Sequence, residues 1–149
     1  MLIESIFKSM QPIPVKYTCD GENISPPLRF AQIPSEAQSL VLIVDDPDAP
    51  RGTFDHWLVW NLPPDMQELT EDQEFARLSP SPVQGINGFG KTYYQGPCPP
   101  TGKPHRYHFK LYALDHLLSL PEGSSKQQVE KAMQGYILAQ AELIGTYQR

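Results

Sequence analysis

Sixteen prolines stand between Pro12 and Pro121 of this 149-residue chain, and none follows Pro121. Proline has no backbone N–H to donate and its ring clashes with the preceding helical turn, so it ends helices. Its frequency is about twice the usual ~5%, and it is spread through the chain rather than gathered in a tail. Long helices are therefore excluded from the first four-fifths of the sequence. What remains there is strands and shaped loops, with room for a long helix only near the end.

The apolar pattern agrees. The run "SLVLIVDD" (Ser39 to Asp46) is continuously apolar until its closing acids and stops at a proline, as a buried strand does. "FDHWLVWNL" (Phe54 to Leu62) is apolar on both faces. "HRYHFKLYALD" (His105 to Asp115) alternates, with His105, Tyr107, Phe109, Leu111 and Ala113 on one face and Arg106, His108, Lys110 and Tyr112 on the other. "LIESIF" near the start reads as an edge or half-buried strand, and "CDGENISPPLRF" as turn chemistry followed by a short strand. Pro63 to Val83 is mixed and loop-like. After the last proline, Ser125 followed by Gln128 has capping-box spacing. It predicts a helix running to about Ile137, with Val129, Met133 and Ile137 on one face, before "AQAELIGTYQR" closes the chain as a strand. No repeat or linker interrupts residues 1–149, so the expectation is a single domain, mainly β, with one main helix near the C-terminus.

Composition narrows the function classes. Hydrophobic residues make up 40% and charged residues 19%, a globular balance. The net charge is −5 and no Lys/Arg block stands out, which argues against nucleic acid or an anionic membrane as partner. The opening "MLIESIFKSM" carries Glu4 and Ser5 within its apolar run, unlike a signal peptide, and no segment is long enough to span a bilayer. A cytoplasmic protein without stable membrane insertion is expected. Cys19 and Cys98 lack C-x-x-C spacing and, in a reducing cytoplasm, are expected to be thiols.

The stretch "GINGFGKT" (Gly85 to Thr92) matches the string of a phosphate-binding loop. Such a loop needs a strand before it and a helix after it, because the helix N-terminus aims N–H groups at the phosphates. Here "RLSPSPVQ" precedes and the proline-rich "YYQGPCPPTGKPH" follows, so the flanks deny the helix. The stretch is either a glycine-shaped loop leading into the proline loop or a surface turn without a role.

Four places hold polar groups next to apolar strands. "DDPDAP" (Asp45 to Pro50) follows a buried strand. In extended geometry Asp46 and Asp48 point the same way, though Asp and Pro also suit a plain turn. His56 lies in an otherwise apolar strand, where a satisfied core histidine is the simpler reading. His105 and Tyr107 share a strand face directly after the proline-glycine loop. In "GPCPPTG" (Gly96 to Gly102), a free Gly96 N–H could donate to an anion. Together these describe a pocket of two carboxylates, two imidazoles, a phenol and an N–H. A metal held by Asp46 and Asp48 would be a different chemistry, but no H-x-x-x-H, no glutamate beside a histidine and no basic cluster supports it. No G-x-S-x-G is present, and Cys98 sits between prolines without an activating partner.

"DPDAP", "HWLVWNLP" and "GPCPPTGKPHRYHFKLYALD" together resemble the phosphatidylethanolamine-binding protein family, which includes Raf kinase inhibitor protein, and in particular its short bacterial and archaeal branch. The resemblance extends from "TCDGENISPPL" to "ELIGTYQR". It implies a β-sandwich-like fold of two antiparallel sheets with a helix at one end. It also implies an anion pocket for phosphate, acetate or a phospholipid headgroup, lined by Asp46, Asp48, Pro50, His56, Gly96, Pro97, His105 and Tyr107. It suggests a cis X-Pro bond near this loop, with Ala49–Pro50 as the candidate, and a homodimer.

The sequence also departs from the family pattern. Many bacterial relatives have an acidic residue at the position of Gly88 and small residues at those of Tyr93 and Gln95, so the loop beside the pocket should differ in shape. Eukaryotic members add a C-terminal helix over the site. Ending at Arg149, this chain should have a more open pocket or one closed by a neighbouring subunit.

Carboxylates beside an anion site favour the charged form of His56 and His105, while burial opposes it, and the sequence leaves that balance open. The expected function is non-catalytic binding of a small anionic or phosphorylated ligand, with no cofactor. The alternatives are a regulator or inhibitor docking on a kinase or protease, and a metal-dependent enzyme using Asp46 and Asp48.

Overall fold

A computed structural model describes residues 1–149. Its strands are β1 (Leu2–Glu4), β2 (Gln11–Pro12), β3 (Leu28–Ala31), β4 (Ser39–Asp46), β5 (Phe54–Leu62), β6 (Glu68–Leu69), β7 (Val83–Gln84), β8 (His105–Leu114) and β9 (Ile137–Tyr147). One helix, α1 (Lys126–Met133), precedes β9, and a single 3-10 turn spans Val15–Tyr17. The six-stranded sheet has the order β2-β9-β8-β4-β5-β7, and the smaller one the order β1-β3-β6. All pairings are antiparallel except the two-residue contact of β2 with β9.

Strand β4 is apolar throughout because both of its faces are covered, and all eight residues are buried. Leu40, Leu42 and Val44 point into the core between the sheets, where they meet Ile3, Leu28, Phe30 and Leu69 from the small sheet. Val41 and Ile43 point the other way, into a second cluster closed by Val129 and Met133 of α1. Neighbouring β5 divides likewise, with Trp57 and Val59 in the first core and Leu58 and Trp60 in the second. A buried side chain of this size contributes about 2 kcal/mol, so the central strands are held firmly and their ends are well placed to carry a site. On β8 the alternation has its expected result, with Tyr107, Phe109, Leu111 and Ala113 in the core between the sheets.

Helix α1 begins as its cap requires. Ser125 Oγ accepts from Gln128 N at 3.2 Å, and Ser125 N donates to Gln128 Oε1 at 2.8 Å. The helix is shorter than the sequence suggests. It ends at Met133, and Gly135 turns at a φ of 85° so that Ile137 can pair with Leu114. Ile137 is therefore an exposed strand residue and not part of the helix face. Lys126 fastens the start of α1 to the sheet, lying 2.8 Å from Asp55 and 3.2 Å from the fully buried Asp45, which Lys110 also approaches at 3.1 Å.

No helix follows Gly85–Thr92, as the prolines require, and the segment is turns and bends. Two further expectations change. The cis peptide is Ser79–Pro80, not Ala49–Pro50. Cys19 and Cys98 are not thiols but a disulfide, with Cα atoms 5.4 Å apart. Their 79-residue separation hid the pairing, which arises because the turn after Val15–Tyr17 packs against the proline loop: Cys19 N donates to Pro97 O at 3.0 Å and Tyr94 Oη to Tyr17 O at 2.7 Å. No helix is long and apolar enough to cross a membrane.

Candidate functional site

The ends of β4, β5 and β8 bring the predicted residues together. In register, Asp46 on β4 lies opposite Phe54 on β5, and Asp45 lies opposite His108 on β8, so Asp46 sits between β5 and the start of β8. Asp46 is buried, 3% exposed, and its carboxylate is doubly engaged. Oδ2 accepts the His105 Nδ1–H at 2.7 Å, and Oδ1 accepts the Asp48 N–H at 2.8 Å, closing an Asx turn that ends the strand. That turn takes the chain out of extended geometry. Asp46 and Asp48 consequently do not point the same way.

Asp48 serves a different purpose. Its Oδ2 accepts from Arg106 N and Nε at 2.9 Å each, and its Oδ1 accepts from Arg106 Nη2 at 2.8 Å. The Arg106 guanidinium holds the Asp48 carboxyl down at about 2, against a cost of burial. This forked pair clamps the "DDPDAP" turn to the first residues of β8. Pro50 lies exposed on the same turn.

His56 is buried, 3% exposed, and its Nδ1–H donates to the Gln95 carbonyl at 2.6 Å. Burial pushes its pKa down, with the Gln95 carbonyl and the charges of Asp46, Asp55 and Asp45 opposing. Burial decides the balance for this ring, and the neutral form is favoured. Its ring packs edge-on to Tyr107 at 5.3 Å. Burial first, and then Asp46 beside it, push the Tyr107 phenol far above its ordinary range. Tyr107 therefore keeps its proton and remains a donor.

Both histidines are anchored through Nδ1, and neither Nε2 has a protein partner. Nor is either Nε2 sealed away, in contrast to the buried and unsatisfied His108 Nε2. Two oriented rings with open Nε2 atoms, next to a protonated phenol, can accept from or donate to a small polar ligand.

Gly96 and Pro97 shape this site without lining it with donors. The Gly96 N–H is already given to Asn23 Oδ1 at 2.7 Å, so it is not free for an anion. Pro97 contributes its carbonyl to Cys19. The proline loop acts through Gln95, whose carbonyl sets the His56 tautomer and whose own N–H donates back to His56 O at 3.3 Å.

Sequence reasoning missed the residues that hold the others: Gln95, Arg106, Asn23 and Asn87. For Arg106 a signal existed, one cation directly after His105 and facing away from Tyr107. Asn23, Asn87 and Gln95 act mainly through backbone bonds across 31 to 73 residues, and no local pattern marks such bonds.

Larger hollows of about 630 Å³ beside Arg29 and about 710 Å³ beside Phe75 bring no imidazoles together. One of about 490 Å³ is lined by Asp48 and His105 with Lys103, Arg106 and Met10, and so adjoins the cluster. The chemistry of the side chains, more than the volume of a hollow, marks the site.

The neutral His56 carries a testable consequence. In the unfolded chain it takes a proton near its ordinary 6.5; in the fold it does so only at lower pH. Between the two values the unfolded state binds more protons, so the stability associated with this ring is full above the ordinary 6.5 and is lost as pH falls through the folded value. Urea unfolding of the parent from about pH 5 to about pH 8 should show stability rising with pH, and His56→Gln should flatten that rise. An unchanged slope in the variant would show that His56 is not the group responsible.

A sandwich whose central strands end in a cluster of anchored polar groups is the frame of a binding protein. The chain belongs to the phosphatidylethanolamine-binding protein family, whose sequence profile matches residues 4–148. It is 52% identical over 144 residues to a UPF0098 protein of Methanothermobacter thermautotrophicus, covering 96% of this chain and 95% of that one. It is 48% identical over 151 residues to a UPF0098 protein of Pyrococcus abyssi, covering 99% and 84%. Among solved structures, a phosphatidylethanolamine-binding protein homologue of Chlamydia trachomatis superposes with a TM-score of 0.92 at 47% identity, covering 99% of this chain and 97% of that one. Escherichia coli YbcL, described as a new member of the mammalian family, superposes with a TM-score of 0.90 at 31% identity, covering 99% and 98%.

Proposed function

We propose that this protein binds small phosphorylated or otherwise anionic ligands, of the phosphate or headgroup type, without catalysing their conversion. The observation that carries the reading is the pair of imidazoles, each fixed through Nδ1 and each with its Nε2 unpaired and unsealed. A neutral ring with its proton on Nδ1 presents a bare Nε2, which accepts from a protonated phosphoryl oxygen. Once protonated it donates to an ionised one. The Tyr107 hydroxyl supplies a further donor. Asp46 orients His105 and balances its charge when the ring takes a proton.

The second route takes up a proton with the anion, so binding through it should strengthen as pH falls. Calorimetric titration with inorganic phosphate is expected to show roughly tenfold tighter binding at about pH 5.5 than at about pH 8. His105→Ala should weaken it by about tenfold or more at the lower pH. Equal affinity at both pH values would remove the imidazolium account, and undiminished binding by the variant would remove His105 from the site.

The committed geometry of the acids speaks against a metal reading. Asp48 is saturated by Arg106, and Asp46 by His105 and the turn. A regulatory role through docking on a kinase or protease is a separate proposal, tested by pull-down with the purified chain.

A further inference from the structure

Behind the imidazole site, on the face of the large sheet that α1 covers, lies a second pair of acids. Asp45 and Asp55 stand opposite each other in register, and each is next in sequence to a site residue, Asp46 or His56. The register shifts between Val44 and Asp45. There the partner steps from Trp57 to Asp55, and His56 is left as the extra residue of a bulge. Bulges re-aim the side chain they carry. His56 packs against Tyr107, while Asp55 stays opposite Asp45.

Two like charges side by side at depth are costly unless cations meet them. Asp45 is 1% exposed. Lys110 reaches its Oδ2 at 3.1 Å and Lys126 at 3.2 Å. Asp55 has one ion-pair partner, Lys126, at 2.8 Å. Lys126 is thus the cation that both acids share. Burial works against its charge, but Asp55 and Asp45 outweigh burial and hold the ammonium above its ordinary pKa. Lys126 is also the first residue of α1, whose first turn holds no acid. A helix N-terminus carries partial positive charge and disfavours a cation. The acids of the sheet, not the helix, account for a lysine there, and departures from a local rule gather where function is built.

We infer that Lys126 is a positioning residue for the candidate site: acting through Asp45 and Asp55, it fixes the pH at which His56 takes up its proton, and with it the pH range in which the anion binds most tightly. The second half rests on the anion reading above, and the first does not. The groups around His56 set the sign. Burial holds the ring neutral, while the Gln95 carbonyl and the charges of Asp46, Asp55 and Asp45 favour the proton. Tyr107 keeps its own proton, and the Phe54 and Phe89 rings beside His56 carry no charge. His105 shares the Asp46 carboxylate. On the far face Lys110 stays with Asp45, and His108 is paired with Glu142. Loss of the Lys126 charge therefore leaves Asp55 unopposed, and His56 takes its proton at a higher pH.

The experiment is NMR titration of the His56 ring, identified by the signal that His56→Gln removes. It compares the parent, Lys126→Met, Lys126→Arg and the double variant Lys126→Met/Asp55→Asn. In Lys126→Met the midpoint should rise, so that at a fixed pH above it about threefold more rings are charged. Lys126→Arg should titrate as the parent does, and the double variant, which removes the acid with its cation, should return close to it. Calorimetric titration with inorganic phosphate at that pH should show about threefold tighter binding in Lys126→Met than in the parent. A lysine that only anchored the helix would change stability without moving the ring. Should Lys126→Met fail to fold, Asp55→Asn tests the same coupling with the opposite sign, and its midpoint should fall. An unmoved midpoint in Lys126→Met or in Asp55→Asn, or an equal rise in Lys126→Arg, overturns the inference. A raised midpoint with unchanged phosphate affinity overturns its second half. Failure of the parent to bind phosphate overturns the anion reading and that second half with it, while the first half stands or falls on the ring titration.

Discussion

Loss of the Cys19–Cys98 bridge, by reduction or by paired Cys→Ser substitution, is expected to lower the free energy of unfolding by about 4 kcal/mol. The bridge closes a loop of 79 residues in sequence separation, more than half of the chain. Cross-links over long loops remove the most freedom from the unfolded state. The native state changes less, because the same two loops are also joined by hydrogen bonds from Cys19 to Pro97, Tyr94 to Tyr17 and Gly96 to Asn23. The reduced protein should therefore keep its fold and melt roughly 10 °C lower. Cys98 is exposed, so a reductant reaches the bridge without unfolding. Parallel thermal melts with and without dithiothreitol measure the effect, and identical melting with thiols shown free by labelling would refute it.

Gly96→Ala is the second large effect, and it acts by collision. An added Cβ would collide with the Tyr17 carbonyl oxygen and stand 2.8 Å from Asn23 Oδ1. The first of these is backbone, in a turn tied down by the Tyr94 hydroxyl and by Cys19, so it cannot swing aside as a flexible side chain would. Separating the loops costs about 3 kcal/mol, and it moves Gln95, the residue that holds His56. Denaturant unfolding should register the destabilisation, and phosphate titration a loss of binding at least as large as that of His105→Ala. A variant as stable as the parent would mean that the two loops are not packed as described. One that was destabilised but bound phosphate normally would separate the loop from the site.

The two predictions share a cause. The site is assembled by a loop that no strand supports, held by contacts between residues about 17–23 and 94–98. Its charged half is built differently. Asp46 ends β4 and Arg106 lies at the start of β8, two strands paired in the large sheet, so His105 is positioned by the core itself.

That contrast explains what could be read from the chain. The prolines ruled out early helices, and the periodicity of "SLVLIVDD", "FDHWLVWNL" and "HRYHFKLYALD" located the three central strands, because burial on one or both faces leaves its mark residue by residue. Asp46, His56, His105 and Tyr107 were legible as polar groups at the ends of those strands, where loops carry function. The direction of Asp48 was misread because it depends on the turn that Asp46 closes, and the Arg106 that claims its carboxylate lies 58 residues away. Gly96 was misread as a free donor because Asn23, whose Oδ1 accepts its N–H, lies 73 residues away. The helix end was misplaced because pairing with Leu114, not local propensity, set where β9 begins.

By itself, then, the amino-acid order determined the class of fold, the strands that carry the site and the residue types gathered there, since these follow from local rules of backbone freedom and from the alternation of apolar side chains. Only the tertiary structure decided which cysteines join, which carbonyl orients His56, which acid faces His105 and which phenyl ring stands beside the imidazoles. Each of those depends on two segments distant in the chain coming within a few ångströms of each other, and such a meeting leaves no trace in either segment alone.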